Sequence, residues 1–246
     1  MALDLLRLLS THGNSKTITT AIRTLSRAFH EDPLMHWLRC NNSNREFWLW
    51  LQLGLLMGRV YCTTNDIHAW MSQFPPESGN SEKTGYIPTR FLDAPGGIAI
   101  LYPYLDPDPI PLPMIGRLLK LRLKVFIKDS LATRSSTRKR RNEMFHRAQE
   151  NSYRLVQKRL RPGQKLWYLQ TLAVDPSLQG RGVGKRIMQA IFQLIGHQPL
   201  ILECSREANV GFYQSLGFEV IDTITLADAA SKREECVTFW TMARFT

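Results

Sequence analysis

A glycine-rich turn between residues 179 and 185 is the part of this sequence best suited to binding an anion. It reads Gln179-Gly180-Arg181-Gly182-Val183-Gly184-Lys185 and follows a strand-like segment, residues 166–174. The turn opens an amphipathic helix whose apolar stripe comprises Val183, Ile187, Ala190, Ile191 and Leu194. Backbone N–H groups exposed at the start of a helix form a favourable site for a phosphate. The pattern therefore predicts a phosphate site at this helix start.

Two common phosphate-binding motifs contain similar glycines at a different spacing. A dinucleotide fingerprint, GxGxxG, would need glycine at the position of Lys185. A P-loop needs four residues between its glycines and then Lys followed by Ser or Thr. Here three residues separate Gly180 from Gly184, and Arg186 follows the lysine. The spacing excludes both motifs.

A second motif lies downstream, in the segment Asn209-Val210-Gly211-Phe212-Tyr213-Gln214-Ser215-Leu216-Gly217-Phe218. Together with the glycine turn and the preceding Leu172-Ala173-Val174-Asp175-Pro176, it resembles the signatures of the GNAT superfamily of acyl-CoA-dependent N-acyltransferases. The resemblance is firm from Lys165 to Phe245. It implies a mixed α/β fold with a mixed central sheet flanked by helices. Shorter strings, such as Asp32-Pro33 and His68-Ala69-Trp70, look like the puromycin N-acetyltransferase type.

The resemblance also implies which residues bind acetyl-CoA. Backbone amides of the turn would hold the pyrophosphate, the strand before it would pair with the pantetheine arm, and Asn209 would hydrogen-bond that arm. The cofactor-binding residues expected on this basis are Leu172, Ala173, Val174, Gln179, Gly180, Arg181, Gly182, Val183, Gly184, Lys185, Asn209 and Tyr213. The N–H of Val174 is the candidate that would polarise the thioester carbonyl.

Two residues are expected to move protons. Tyr213 stands at the position of the family's motif tyrosine, which implies that it protonates the departing thiolate. Glu203 is a candidate base for the attacking amine, and the alternative is a structural carboxylate satisfied by the backbone or by Arg206. His68 and Tyr168 are weaker candidates. Cys204 has no histidine partner in view, so an acylated cysteine is not expected.

Hydrophobic periodicity and Gly/Pro punctuation predict the elements that position these residues. We expect helices at 17–29, 33–38, 45–58, 114–131 and 136–160, and strands at 59–64, 67–74 and 97–102. Residues 106–113 should be extended. From residue 165 onward the order is strand 166–174, helix 182–195, strand 200–204, helix 207–216, strand 218–225 and strand 236–244, the last two forming an antiparallel pair.

Length suggests one domain spanning residues 1–246. The resemblance implies a CoA-binding core at 165–245 and a family-specific insertion at about 76–162, which is basic and expected to be helical. Residues 115–165 hold 16 Lys or Arg against three acidic residues. The run Arg138-Lys139-Arg140-Arg141 fits a solvated helix face, attraction of CoA, or a nuclear or nucleic-acid role. The four cysteines lack metal-ligand spacing, and reduced, buried thiols are expected.

The main hypothesis is a cytoplasmic monomer or homodimer that transfers acetyl from acetyl-CoA to a small-molecule amine, without a metal. No membrane partner is expected, and nucleic acid is not favoured. The alternatives are a protein lysine acetyltransferase, with the basic run at 138–141 as a candidate nuclear localisation signal, or an O-acetyltransferase. A further alternative is a non-catalytic module that binds CoA or nucleic acid. The acceptor itself is not identified by the sequence.

Overall fold

The computed structural model describes residues 6–8, 15–39, 43–63, 96–104, 115–121, 123, 136–230 and 235–245. The chain divides into two compact units. The first contains residues 1–30, 44–101 and 169–197, and the second contains residues 31–43, 102–168 and 198–246. The glycine turn therefore belongs to the first unit, whereas Glu203 and Tyr213 belong to the second.

The regular elements follow one another in a mixed α/β order, and a further helical segment spans residues 115–121. In chain order the elements are β1 (Leu6–Leu8), α1 (Ser15–Ala28), α2 (Pro33–Arg39), α3 (Ser43–Leu56), β2 (Val60–Thr63), β3 (Gly97–Pro103), α4 (Ser136–Gln157), β4 (Trp167–Val174), a 3-10 turn (Pro176–Leu178), α5 (Val183–Ile195), β5 (Leu200–Cys204), α6 (Glu207–Ser215), β6 (Glu219–Ala227) and β7 (Cys236–Arg244).

In the first unit, β1 pairs antiparallel with β2, and β2 pairs antiparallel with β3. Helix α5 buries Val183, Ile187, Ala190 and Ile191, as expected from its stripe. Leu194 was wrongly included in that stripe: it is 41% exposed, whereas Met188 and Ile195 are buried. The fully buried side chains of this unit include Leu25, Phe47, Leu51, Ile98, Ile100, Leu101, Ile187, Met188 and Ile191.

In the second unit, the strand order is β4-β5-β7-β6. The beginning of β4 pairs in parallel with β5, at Trp167–Leu200 and Tyr168–Ile201. Strand β7 pairs antiparallel with both β5 and β6, and a register shift lies between Val220 and Asp222 on β6. This mixture of parallel and antiparallel neighbours confirms the expected mixed sheet and its antiparallel ending.

Within the second unit, helix α4 packs on the other elements through two apolar clusters. Near its beginning, Met144, Phe145 and Ala148 pack on a cluster made by Leu34, Trp37, Leu38, Leu226, Val237 and Phe239. Near its end, buried Tyr153 and Val156 form a cluster with Leu166, Ile201 and Ala243. The helix predicted as part of an insertion therefore covers apolar surface of strands β5, β6 and β7 directly.

Most of the expected elements are observed within two or three residues of their predicted ends, and β5 and β7 have the predicted ends. Strand β1 was not predicted. The expected strand at 67–74, the extended segment at 106–113 and most of the helix expected at 114–131 lie outside the described residues. Within the described part of the chain, no helix has the length and apolar character needed to cross a bilayer.

Candidate acetyl-transfer site

The glycine turn adopts a backbone that favours glycine at two positions. Gly180 has φ +74° and Gly182 has φ +75°, both in the left-handed region. A Cβ built at either glycine would meet no protein atom within 4 Å. The positive φ, rather than crowding by the protein, therefore explains why glycine is favoured here, and open space remains over the turn.

The first turn of α5 presents backbone donors to that space. Gly182 is the N-cap and has no side-chain capping hydrogen bond. Arg186 N–H donates to Gly182 O over 3.2 Å. The preceding amides of Val183, Gly184 and Lys185 have no intrahelical acceptor, because a helix leaves its first N–H groups unpaired. The arrangement can hold an anion, as the sequence predicts.

Asp175 fixes the path between β4 and the turn. Its carboxylate accepts hydrogen bonds from Ser177 N–H at 3.0 Å and Ser177 Oγ at 2.6 Å, and it pairs with Arg27 at 3.3 Å. The Asp175 N–H donates to Gly96 O over 2.8 Å. Because successive strand residues point their N–H groups to opposite sides, the Val174 N–H points away from β3. It is therefore free of the β3 pairing, which fits its expected role.

Glu203, on β5, is surrounded by three hydrogen-bond donors. Its Oε1 accepts from Tyr153 OH at 2.6 Å and from Gln149 Nε2 at 2.9 Å. Its Oε2 accepts from Tyr168 OH at 2.8 Å. Arg206, the partner suggested by the sequence, pairs instead with Glu31 at 3.5 Å. The structure thus brings Glu203 and Tyr168 together and adds two residues, Gln149 and Tyr153, that sequence reasoning missed.

The environment of Glu203 shifts several pKa values. Burial raises the pKa of Glu203 above its usual value, although the hydrogen bonds from Tyr153, Gln149 and Tyr168 act in the opposite direction. Burial, and then the negative charge of Glu203, hold the pKa values of Tyr153 and Tyr168 well above the usual range. Both phenols therefore remain protonated near neutral pH and continue to donate. A carboxylate with a raised pKa is suited to act as a general base.

Tyr213, on α6, lies in an aromatic environment. Its ring centroid is 5.1 Å from that of Phe212 and 5.6 Å from that of Phe218. Burial raises the pKa of Tyr213, and nearby Cys204 and Asp32 raise it further. Tyr213 is therefore a phenol that keeps its proton at neutral pH, as a general acid must before it donates.

Asp32 links the start of α2 to the end of β5. One carboxylate oxygen accepts from Met35 N–H at 2.8 Å, and the other accepts from Ser205 Oγ. Asp32 is 4% exposed. Its Asp-Pro dipeptide therefore caps a helix, while its charge acts on Tyr213. Asn209 is exposed on α6, and its expected contact with pantetheine stays a prediction.

The comparison with known families identifies the domain that contains these residues. Residues 145–220 match the family described as the acetyltransferase (GNAT) domain. Over these residues the chain is similar to GNAT acetyltransferase domains. All the cofactor-binding and catalytic candidates, residues 172–213, lie inside the match. The match also includes the second half of α4, which carries Gln149 and Tyr153.

Solved structures support the GNAT fold over nearly the whole chain. The structure named as mosquito arylalkylamine N-acetyltransferase like 5b has a TM-score of 0.60 at 14% sequence identity. The match covers 98% of this chain and 99% of the mosquito chain. The polyamine N-acetyltransferase of Drosophila melanogaster, which forms N-acetylagmatine, has a TM-score of 0.57 at 13% sequence identity. The match covers 98% of this chain and 99% of the Drosophila chain. At these identities the likeness shows the fold alone.

A curated relative matches a shorter segment. An uncharacterised protein of Mycobacterium leprae is 40% identical over 53 residues. That segment is 21% of this chain and 15% of the M. leprae protein. The chain therefore matches only a small part of this relative, and the resemblance to puromycin N-acetyltransferases stays a prediction.

The basic run at the start of α4 is largely committed to ion pairs within the second unit. Arg140 Nη2 lies 2.6 Å from Asp228 Oδ1, and Arg141 Nε lies 2.9 Å from Asp228 Oδ2. Arg141 also donates to Trp37 O at 2.8 Å and to Glu235 Oε2 at 2.7 Å. Its side chain is 3% exposed. The expected solvated face is therefore wrong for Arg141, because acidic residues far along the chain neutralise it.

The three cysteines within the described residues form no disulfide. Cys204 is buried, donates to Arg206 O at 3.2 Å, and burial raises its pKa to about 11. Cys62 is also buried and forms no disulfide, but Cys236 is exposed, contrary to the expectation of buried thiols. Cys40 and His68 lie outside the described residues. Within those residues, no group of three or more His, Cys, Asp or Glu could hold a metal ion.

Proposed function

We propose that this protein transfers the acetyl group of acetyl-CoA directly to the amine of a small molecule, in a ternary complex. The observation that carries the proposal is the first turn of α5. There, two glycines with positive φ and three amides without intrahelical acceptors stand inside a matched acetyltransferase domain. A diphosphate fits this site because amides and helix dipole both favour negative charge.

The donor half of the reaction uses backbone groups of the glycine turn and of β4. Amides from Gln179 to Lys185 bind the pyrophosphate, and the β4 backbone from Leu172 to Val174 binds the pantetheine arm. The Val174 N–H stabilises the negative charge that develops on the thioester oxygen, an effect worth about 3 kcal/mol for one such donor. Supporting this assignment, that N–H points away from the β3 pairing.

The acceptor half uses two side chains, those of Glu203 and Tyr213. Glu203 accepts a proton from the acceptor ammonium, whose pKa is about 10 for a lysine-like amine. The amine nitrogen then bonds to the acetyl carbon as the carbon–sulfur bond breaks. Tyr213 gives its proton to the departing thiolate and is reprotonated by the second proton that the nitrogen loses. One proton is released to solvent, and no residue becomes acylated, which agrees with the raised pKa of Cys204.

Small primary amines are the acceptor class that we propose. Of the two solved structures reported above, one is named as arylalkylamine N-acetyltransferase like 5b and the other as a polyamine N-acetyltransferase. The nuclear and nucleic-acid alternatives lose support, because Arg140 and Arg141 are held by Asp228. A protein lysine or an alcohol as acceptor is therefore an outcome of the test rather than a second proposal.

Two measurements test the proposal. Isothermal titration with acetyl-CoA should show binding, and the absence of heat at high micromolar ligand would contradict the donor site. Thiol release from acetyl-CoA should then increase when phenethylamine, tyramine, agmatine or spermidine is added. Faster release with histone or bulk protein lysines than with every small amine would assign the activity to proteins instead. Glu203→Gln is the matched variant, which should retain binding and lose amine-dependent release.

A further inference from the structure

Helix α4 contributes a set of polar side chains to the face of the sheet that carries Glu203. Gln149 and Tyr153, one turn apart, both donate to Glu203 Oε1, at 2.9 Å and 2.6 Å. Gln149 Nε2 also lies 3.0 Å from Tyr153 OH and 3.2 Å from Tyr168 OH. These contacts connect all three donors into one network around the carboxylate.

The same helix is anchored next to this network by Ser152. Its Oγ donates to Asp222 Oδ2 at 2.8 Å and lies 3.2 Å from Ala148 O. On the sheet, Thr241 pairs with both Glu203 and Asp222. Because directly opposite strand residues share a face, Glu203, Thr241 and Asp222 form one row under α4. The helix thus contacts both ends of the row with neighbouring residues.

We propose that Gln149 and Tyr153 are positioning residues for acetyl transfer, which orient the Glu203 carboxylate and keep it ionised for the acceptor amine. The inference rests on the proposed function, since it assigns Glu203 as the base. Two of the three donors come from α4, so removal of either leaves one Oε1 hydrogen bond and one Oε2 hydrogen bond. Tyr153 is 2% exposed, so water has little room to replace its hydroxyl.

The groups that face Glu203 come from four elements. Helix α4 supplies Gln149 and Tyr153, and β4 supplies Tyr168. Tyr104 follows β3; burial raises its pKa, the charges of Glu150 and then Glu203 raise it further, and Arg154 acts in the opposite direction. Its ring is 4.5 Å from that of Tyr153. Thr241 on β7 is uncharged. The network around the carboxylate therefore consists of neutral donors, whose loss favours the protonated acid.

The test is the pH dependence of kcat/KM for acetyl transfer to the best acceptor of the amine panel. Tyr153→Phe should move the acidic limb of this pH profile to higher pH by about one unit, because a hydrogen bond to the charged carboxylate is lost. Gln149→Met should shift it in the same direction. Acetyl-CoA affinity should not change. Glu203→Gln should abolish the limb, which assigns it to this carboxylate.

Two variants serve as controls. Tyr104→Phe removes a neighbouring hydroxyl for which no hydrogen bond to Glu203 is observed, and Ser152→Ala removes the anchor of α4 to Asp222. Neither should move the acidic limb, although Ser152→Ala should lower the unfolding midpoint. If the enzyme acetylates amines but Tyr153→Phe and Gln149→Met leave the acidic limb at its wild-type pH, the positioning role alone is overturned. A wild-type enzyme that acetylates none of the amines overturns the proposed function together with this inference.

Urea unfolding at a series of pH values gives a readout that needs no acceptor. Because burial raises the folded-state pKa of Glu203, its contribution to stability is full below the unfolded pKa and is lost as pH rises through the folded value. Tyr153→Phe should move this loss to higher pH, whereas Tyr104→Phe should not. A loss at the same pH in Tyr153→Phe and the wild type contradicts the inference.

Discussion

Replacing Gly182 by alanine separates the requirements of the fold from those of the ligand. The new Cβ would meet no protein atom within 4 Å, so the fold loses only the preference of φ +75° for glycine. That cost is about 1–2 kcal/mol for an L residue in the left-handed region. For a chain of this size, it corresponds to a fall in Tm of roughly 2–8 °C. The ligand, in contrast, would meet a methyl group at the open side of the turn.

Gly163 provides the matched control. Its φ is +82°, and a Cβ there also meets nothing within 4 Å, but it follows α4 rather than the glycine turn. Gly163→Ala and Gly182→Ala should therefore lower Tm by similar amounts in differential scanning calorimetry. Only Gly182→Ala should weaken acetyl-CoA in isothermal titration, by at least tenfold, or about 1.4 kcal/mol. Equal affinities in the two variants would refute the assignment of the turn as the pyrophosphate site.

Three further predictions follow from the second unit. Tyr213→Phe should leave acetyl-CoA affinity unchanged and slow kcat by roughly 10²-fold or more, measured by thiol release, because the proton donor is lost; full activity would remove the general-acid role. Cys204→Ser should retain activity, and intact-protein mass spectrometry should detect no acetylated enzyme, since a thiol with pKa about 11 is protonated at neutral pH. Arg141→Met should lower the free energy of unfolding, measured with urea at pH 7, by about 3 kcal/mol, because it leaves buried Asp228 with one guanidinium. A loss below about 0.5 kcal/mol is typical of an exposed ion pair and would contradict the buried role of Arg141.

The pH dependence of that ion pair has a definite sign. Burial alone would raise the pKa of Asp228, but hydrogen bonds from Arg141 and Arg140, with their charges, lower it below its usual value. Stability from this group is therefore present above the unfolded pKa, near 3.8, and is lost as pH falls through the folded value. Arg141→Met should reduce that acid-dependent loss, which urea unfolding at low pH would measure.

The best-predicted parts of the molecule are those encoded by local patterns. The glycine turn, the start of α5 and strands β5 and β7 follow from periodicity and glycine placement, which act over a few residues. The short strand β1 was missed because three residues carry too little alternation. Leu194 was assigned to the wrong face because it lies at the edge of the apolar stripe, where periodicity alone does not decide burial.

The partners of the candidate base could not be predicted in the same way. Gln149 and Tyr153 lie 54 and 50 residues before Glu203, on a segment whose composition indicates a surface helix. Asp32 and Ser205, which meet near Tyr213, are separated by 173 residues. Pairings of this kind depend on which helix packs over which strand, and the spacing within one segment does not identify the strand that the helix covers. The polar set at positions 149, 152 and 153 was the available signal, since a helix places those residues on one face.

The basic run of α4 is best understood through the register of that helix. Arg141, Phe145, Gln149, Ser152 and Tyr153 follow a three-to-four-residue spacing, so all face the sheet. A slip by one residue would rotate them by about 100°, which would withdraw the donors from Glu203 and the guanidinium from Asp228 together. The apolar face alone would tolerate such a slip better than the ion pairs, because hydrophobic contacts are less directional. The ion pairs of Arg140 and Arg141 therefore help to fix the register at which α4 brings Gln149 and Tyr153 to Glu203.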